Sequence, residues 1–190
     1  MNKIFLKSSK ISICFLGLIF LLNYSCDKKE DDPFSTSRDQ LLLPRIEITT
    51  ESTIVDEPKI PAEMKIISDQ YPIESQQIGI EFRGSSSQMF PKKSYGFETW
   101  TNDNQDMDIS IGGYPEEEDW ILYAPYTDKS LVRNVIIYEL SNNIGRYATK
   151  TSFYELFIND DYKGVYVLME KIKRDKNRIA ISKNNDADIS

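Results

Sequence analysis

A short polar turn joins two runs of aromatic and β-branched residues in the stretch that decides the fold, residues 153–170, FYELFINDDYKGVYVLME. Residues 153–158 and 165–170 have the composition of β-strands. Asn159, Asp160 and Asp161 lie between them, and Asn and Asp tolerate the left-handed backbone that tight hairpin turns require. This stretch therefore predicts an antiparallel hairpin.

Five more runs with strand-like sequence lie upstream, at residues 45–50, 62–67, 77–83, 93–99 and 120–124. RIEITT at 45–50 alternates polar and apolar residues, as a half-buried strand does. An acidic, glycine-containing loop at 101–119 separates the last two runs.

The hydrophobic period changes to a helical one between residues 127 and 145. Apolar side chains recur there at three- and four-residue spacing, as in Leu131, Val135 and Tyr138. Thr127 or Asp128 can cap the start of this helix, and Gly145 can end it. We therefore expect an α+β fold, a mostly antiparallel sheet covered by one long amphipathic helix.

The composition excludes several classes of site. The 190 residues include no histidine, which excludes Ser-His-Asp and Cys-His nucleophilic sites and histidine-ligated zinc. Both cysteines, Cys14 and Cys26, lie near the N terminus, so the folded region has no disulfide framework and no cysteine metal cluster. A net charge of −7 disfavours nucleic-acid binding, because no basic excess is available for phosphates.

Residues 1–25 predict a secretory signal peptide of the bacterial lipoprotein type. Three lysines precede an apolar run at 11–22, which is shorter than the roughly 20 residues that span a membrane. The run ends at Asn23-Tyr24-Ser25, and the following Cys26 is the expected lipidation site. The alternative is an ordinary hydrophobic anchor with an incidental cysteine.

Residues 26–43 are interpreted as an acidic and polar tether, and the folded domain is expected at 44–190. DKKEDD at 27–32 resembles the surface-export signal of Bacteroidetes lipoproteins, and a solvated charged linker is a compatible alternative. These features predict a lipid-anchored protein of the cell envelope, at the outer membrane or cell surface.

The first candidate site is the loop between the strands at 77–83 and 93–99. Backbone N–H groups and serine hydroxyls in such a loop can surround an anion, and a lysine from the next strand can neutralise it. The alternative is a polar hairpin loop, because Gly and Ser favour turns. The candidate residues are Arg83, Ser85, Ser86, Lys92 and Lys93.

Two further charged groups are weaker candidates. Arg133 and Asn134 lie in the first turns of the predicted helix, where the free N–H groups favour anions. Taken alone, this group is better explained by the alternative, a capping arrangement with a surface salt bridge. Glu170 and Lys171 follow the last strong strand, where a charged pair often marks the return of the chain to solvent.

Taken together, three stretches closely resemble the CotH kinase family, named for a bacterial spore-coat protein. They are RGSSSQMFPKKSYGFE at 83–98, DWILYAPYTDKSLVRNVIIYEL at 119–140 and FYELFINDDYKGVYVLMEKIKR at 153–174. Members show Arg-Gly-x-Ser-Ser with a downstream Pro-Lys-Lys, a Trp before an Asp-Lys-Ser…Arg-Asn helix, and a hairpin ending in Glu-Lys-Ile. The resemblance covers roughly residues 44–182.

The resemblance implies a secreted, atypical protein kinase that transfers the γ-phosphoryl group of ATP to protein serine, with ATP and Mg²⁺ as cofactors. It implies that Arg83, Ser85 and Ser86 line a phosphate loop. It also implies that Lys93, or its neighbour Lys92, contacts the nucleotide phosphates, in a domain that resembles the nucleotide-side lobe of a kinase.

The remaining candidates are assigned by the same resemblance. Arg133 and Asn134 would belong to the helix packed behind the nucleotide site. Glu170 and Lys171 would lie where the chain leaves the nucleotide-side strands.

The chain departs from the family beyond the Glu-Lys-Ile segment, where members carry metal-binding aspartates in a helical second half. No stretch at 175–190 matches a catalytic motif, so no metal ligand is assigned and we expect an incomplete CotH kinase-like domain that is not a competent kinase as this 190-residue chain. The alternative function is a non-catalytic envelope lipoprotein that binds a protein or glycan. The acidic run at 116–119 is interpreted as a solvated loop.

Overall fold

The computed structural model describes residues 43–182. The predicted signal peptide, Cys26 and almost all of the predicted tether lie outside these residues. No helix within the described range has the length and hydropathy needed to cross a membrane.

Seven strands form a closed barrel in the described part of the chain. Their order around the barrel is β1-β2-β3-β4-β5-β7-β6, and every neighbouring pair is antiparallel except β1 with β6, which is parallel and closes the barrel. The strands are β1 (Arg45–Thr49), β2 (Ile60–Ile67), β3 (Ile73–Arg83), β4 (Ser94–Thr99), β5 (Asp119–Tyr123), β6 (Thr151–Ile158) and β7 (Asp161–Glu170). The seven predicted strands are thus confirmed.

Alternation along each strand decides which side chains fill the barrel. On β1, Ile46 and Ile48 are buried while Glu47 between them is not, because successive side chains point to opposite faces. A barrel of this size has an interior just wide enough for side chains to fill it. The following apolar residues on the inner faces of the strands are at most 1% exposed: Ile46, Ile48, Met64, Ile66, Ile78, Ile80, Phe97, Trp120, Leu122, Leu156, Tyr166 and Leu168.

The expectation of an α+β fold with one long amphipathic helix is wrong. The helix α1 (Arg133–Asn143) has 11 residues, and the fold of the described residues is essentially all-β. It begins at Arg133 rather than near Thr127 because residues 124–131 form turns, and Leu131 has a left-handed φ of 64° that a helix cannot accommodate. The predicted end is confirmed, since Gly145 adopts a φ of 77° there.

α1 lies on the outside of the barrel and buries none of its residues completely. Val135 and Tyr138 contact a small cluster on the outer faces of β5 and β7. The other apolar side chains of the segment are more than half exposed, namely Ile136, Ile137, Leu140 and Ile144. Sequence periodicity therefore identified the helix but overstated how much of it faces the sheet.

The predicted hairpin is confirmed. Asn159 and Asp160 have φ values of 50° and 62°, and positive values at both central residues are the mark of a type I′ turn, whose twist matches the flanking strands. The turn belongs to the end of the barrel that we call the upper end, formed by the segments 50–59, 84–93, 124–132 and 159–160. The opposite end, which we call the lower end, is formed by the segments 68–72, 100–118, 144–150 and 171–182.

Candidate functional site

The serine-rich loop lies at the upper end, between β3 and β4. Gly84 begins it with a φ of 103°, and residues Ser86–Met89 form a short 3₁₀ helix. The Gln88 amide donates to the Gly84 carbonyl and to Asp56, both at 2.5 Å. The bond to Asp56 connects the loop to the segment 50–59.

Lys92 turns into the mouth of the barrel from this loop. Its Nζ lies 4.5 Å from the ring centroid of Tyr166 and donates to the Val165 carbonyl at 2.6 Å. Gly164 makes room for the ammonium, since a Cβ at that position would stand 3.3 Å from Nζ. Burial lowers the pKa of Lys92.

The charge of Lys92 has no carboxylate partner among the described residues, and burial is what shifts its pKa. An ammonium offers three donors, and the Val165 carbonyl accepts one of them. A partly buried cation with spare donors can bind an anion, because burying a charge without a partner is unfavourable.

Lys93 has a different role from its neighbour. Its ammonium donates to the Gln88 carbonyl and so braces the loop, while its own carbonyl accepts a 2.9 Å bond from the Tyr166 hydroxyl. The sequence left open which lysine reaches the nucleotide phosphates. Each ammonium donates to one backbone carbonyl and neither pairs with a carboxylate of the described residues, and they differ in that Lys92 lies on the Tyr166 ring.

The other residues of the first candidate group belong to the same loop or to the strand end that precedes it. Arg83 ends β3 with an exposed side chain that alternation directs to the outer face, because Phe82 before it packs against the core. Ser85 and Ser86 are exposed at the start of the 3₁₀ helix. The loop therefore presents the two serine hydroxyls to solvent at the end of the barrel where Lys92 lies.

Asp128 organises the second candidate group, also at the upper end. Its carboxylate accepts bonds from the Ser130 hydroxyl at 2.7 Å and from the Arg133 backbone N–H at 2.9 Å, and both lower its pKa. The Arg133 side chain is 3.5 Å from the same carboxylate, and Asn134 is exposed on α1. Asp128 therefore caps the start of the helix and forms a surface ion pair with Arg133, which is the alternative interpretation given for this group.

The third candidate group lies at the lower end and is structural. Glu170 is 1% exposed and pairs at 3.2 Å with Arg178, whose side chain is completely buried. The guanidinium also lies 4.9 Å from the ring centroid of Trp120, and the Lys150 backbone N–H donates to the Glu170 carboxylate at 2.9 Å. The segment 171–182 therefore closes this end of the barrel.

Acidic residues gather around Lys173 at the same end. Its ammonium contacts Glu117, Glu118 at 2.6 Å and Asp119 at 2.8 Å, while Lys171 reaches Asp119 at 2.6 Å. Burial favours a higher pKa for the Asp119 carboxyl, but the hydrogen bonds from the two lysines lower it below its ordinary value. Burial raises the pKa of the Glu117 carboxyl, despite its bond from Lys173.

The interpretation of residues 116–119 as a solvated loop is wrong for Glu117 and Asp119, which are 2% and 7% exposed. Three carboxylates within reach of one another could hold a divalent cation. Here the Lys173 ammonium already occupies the position among the three carboxylates where a cation would bind, and Lys171 pairs with Asp119 as well. These residues therefore do not fit a catalytic Mg²⁺ site, and no step of a reaction is assigned to them.

The two ends are well separated. The Val165 carbonyl, which accepts from Lys92, and Glu170 lie on the same strand, and at about 3.3 Å per residue they are roughly 16 Å apart. The structure brings Arg83, Ser85, Ser86, Lys92 and Lys93 together at the upper end with Arg133 and Asn134. It does not bring Glu170 and Lys171 to them.

A family model described as CotH kinase protein matches residues 80–189, which is more than half of the chain. The chain belongs to the CotH kinase protein family. The resemblance stated from the sequence is thereby confirmed. No curated protein matches the chain. The CotH match begins within β3, so β1, β2 and the segment 50–59 precede it.

Sequence reasoning missed Arg178, Lys173 and Gly164. A basic run at 171–178 follows the acidic run at 116–119 in the chain, and their opposite charges were the available signal for the lower-end cluster. An isolated glycine inside the strand 161–170 was the signal for close approach of another group at Gly164.

Proposed function

We propose that this CotH family member binds the phosphate groups of ATP at the upper end of its barrel, as the nucleotide side of a protein serine kinase. The observation that carries the proposal is the Lys92 ammonium, which is partly buried on the face of Tyr166 and has no carboxylate partner among the described residues. A phosphate group would supply the missing counter-charge and accept the spare donors.

The loop residues have distinct roles in this proposal. Lys92 contacts the phosphates, and the hydroxyls of Ser85 and Ser86 offer further hydrogen bonds at the mouth. Lys93 positions the loop through the Gln88 carbonyl and does not touch the nucleotide. Glu170 and Lys171 hold the lower end closed and take no part in binding.

Transfer of the γ-phosphoryl group to a serine of a protein substrate is the reaction that the family relationship supports. Phosphoryl transfer depends mainly on positioning and on stabilisation of charge, with magnesium neutralising the phosphates where it is bound. The role of this chain in our proposal is to hold and orient the phosphates through Lys92.

Calorimetric titration of the full-length chain tests the proposal. Tripolyphosphate, which has the phosphates of ATP without the nucleoside, should bind the wild type and bind Lys92→Met at least about tenfold more weakly. Lys65→Met is the matched control, because Lys65 forms a surface pair with Glu74 on the outside of β2. Equal affinity in the wild type and both variants would contradict the proposal.

The second candidate is a non-catalytic interaction role in the cell envelope. It is favoured by one observation, that Lys173 already occupies the carboxylate cluster that MgATP-dependent transfer would otherwise offer among the described residues. Incubation of the full chain with γ-labelled ATP and extracted envelope proteins separates the two. Label that enters protein with the wild type and not with Lys92→Met supports the kinase, ATP binding without transfer supports an incomplete nucleotide-binding domain, and absence of both supports the second candidate.

We also propose that the chain is anchored to the cell envelope by lipid on Cys26. Support comes from the lysines, apolar run and cysteine that occur in the order of a bacterial lipoprotein signal. Metabolic labelling with palmitate should mark the wild type and not Cys26→Ser, and labelling of both would contradict this assignment.

A further inference from the structure

We infer that the outer face of α1 is the interface of a symmetric dimer, with a second copy of this chain as the partner. The helix has two apolar faces. Val135 and Tyr138 pack against the barrel, on the outer faces of β5 and β7. At about 100° per residue, the opposite side of the helix carries Ile136, Leu140 and Ile144, which are all more than half exposed.

The exposed apolar face continues from α1 onto the lower end of the barrel. A groove of about 500 Å³ runs between α1 and the segments 144–149 and 172–179. The exposed apolar side chains that line it are Ile137, Leu140, Ile144, Tyr147 and Ile172. With Ile136 they present roughly 600 Å², which is as large as the largest apolar patch of a typical monomer and most of the roughly 800 Å² that each partner buries in a standard interface. The face is therefore large enough to form the core of an interface.

The charge of the chain favours a second copy as the partner. With a net charge of −7, two copies repel each other unless they meet at a surface that brings no like charges together. The lining of the groove contains no Asp, Glu, Lys or Arg. A charged partner would find no ion pair there, whereas an identical apolar face matches its chemistry.

Two-fold symmetry gives a consistent register for an antiparallel pair of α1 helices. A symmetric interface uses the same surface of both copies, so each contact occurs twice. With the symmetry axis at Leu140, this side chain meets its own equivalent, and Ile136 lies opposite Ile144 of the partner subunit. The four-residue spacing of these three side chains thus brings apolar groups together along the whole contact.

The same register keeps like charges apart. Arg133, Glu139 and Arg146 are the charged residues of the stretch 133–147. Each would lie opposite an uncharged residue of the partner subunit, and Glu139, for example, would lie opposite Ser141 of the partner subunit.

Disulfide cross-linking tests this register in the full-length chain, with both native cysteines replaced by serine. Leu140→Cys should form an intermolecular disulfide under mild oxidation, because the symmetry axis brings the two equivalent positions within the roughly 4.4–6.8 Å between Cα atoms that a disulfide requires. A mixture of Ile136→Cys and Ile144→Cys chains should form the mixed dimer in preference to either homodimer. Asn134→Cys is the matched control, because Asn134 is exposed on a flank of the same helix, and it should cross-link far more slowly.

Sedimentation velocity of the full-length chain measures the association itself. The wild type should be dimeric at micromolar concentration, and Leu140→Glu should weaken the dimer by at least about tenfold. Because Leu140 is more than half exposed, the circular dichroism spectrum of this variant should match that of the wild type. Ile67→Glu is the control, since Ile67 is an exposed apolar residue at the end of β2, outside the face, and its dimer should be unchanged.

Three results would overturn the inference. They are a wild type that stays monomeric at roughly 100 μM, a dimer that Leu140→Glu leaves intact, and cross-linking that is as fast at Asn134→Cys as at Leu140→Cys. The inference does not depend on the proposed phosphate binding. Tripolyphosphate should bind Leu140→Glu as it binds the wild type, so failure of one proposal leaves the other standing.

Discussion

At the upper end of the barrel, the Lys92 ammonium donates to one carbonyl and lies on an aromatic ring, whereas at the lower end the Lys173 ammonium is surrounded by three carboxylates. Burial lowers the pKa of Lys92. At Lys173 burial acts in the same direction, but the hydrogen bonds to the carboxylates outweigh it and raise the pKa. A lysine ammonium thus has no carboxylate partner among the described residues at one end of the barrel and three of them at the other.

The largest expected effect is on the buried ion pair of the lower end. Glu170→Gln should lower the free energy of unfolding by about 3–5 kcal/mol, because it leaves the buried Arg178 guanidinium without its carboxylate. Urea denaturation of the full chain, followed by circular dichroism, measures this. Tripolyphosphate affinity should be unchanged under native conditions.

Glu74→Gln is the matched control for this variant, because the Glu74 side chain is 86% exposed and its pairing with Lys65 is worth less than about 1 kcal/mol. A loss at Glu170 no larger than that of the control would break the contrast between the two ends.

Lys173→Met should cost about 2 kcal/mol at pH 7, since it leaves three neighbouring carboxylates without their shared donor. The pKa of Asp119 is lowered in the fold, so the stability that this carboxylate contributes is present above its ordinary value of 3.8 and is lost as pH falls through the lowered value. The stability gap between wild type and variant should therefore shrink from pH 5 to pH 2. A gap that stays constant over this range would contradict the assignment.

Lys92→Met should reduce phosphate affinity rather than stability, the opposite of what we expect for the lower-end variants. Phosphate affinity should fall by about ten- to a hundredfold, equivalent to about 1.4–2.7 kcal/mol, while stability at pH 7 is not reduced. Because the folded pKa of Lys92 is lowered, wild-type stability should rise as pH increases from that lowered value towards 10.5, and the variant should lack this rise. Destabilisation of the variant at pH 7 would show that Lys92 is a structural residue like Lys173.

The smallest effect is expected at Lys93. Lys93→Met removes one hydrogen bond to the Gln88 carbonyl and should cost about 1 kcal/mol of stability and a few-fold in phosphate affinity through loosening of the loop. A loss of affinity as large as that of Lys92→Met would exchange the roles that we assign to the two lysines.

Local sequence patterns predicted the strands well because alternation and turn composition are local properties. The β6–β7 hairpin followed from strand-like runs around Asn159 and Asp160, and both residues adopt the left-handed conformation that the turn requires. Closure of the barrel was not predictable in this way. It depends on parallel pairing of β1 with β6, residues about a hundred positions apart in the chain, and no local pattern encodes that pairing.

The candidate site was predictable only in part, because some of its features are local in the sequence and others depend on distant strands. The glycine-serine loop and its two lysines were visible as a run of residue types, but the direction in which each lysine points depends on Gly164 and Tyr166, which belong to a distant strand. Glu170 was singled out as part of a charged pair after a strand, and the family resemblance then placed it beside the nucleotide-side strands. Its burial against Arg178 depends on how the segment 171–182 folds back over the lower end.

Quantitative labelling of lysines with an amine-reactive reagent, read by mass spectrometry on the full chain, tests the contrast between the two ends most directly. We expect ATP to slow the modification of Lys92 several-fold and to leave the modification rates of Lys171 and Lys173 unchanged. Protection of Lys171 or Lys173 with no effect on Lys92, or no protection at any of them at saturating ATP, would contradict it.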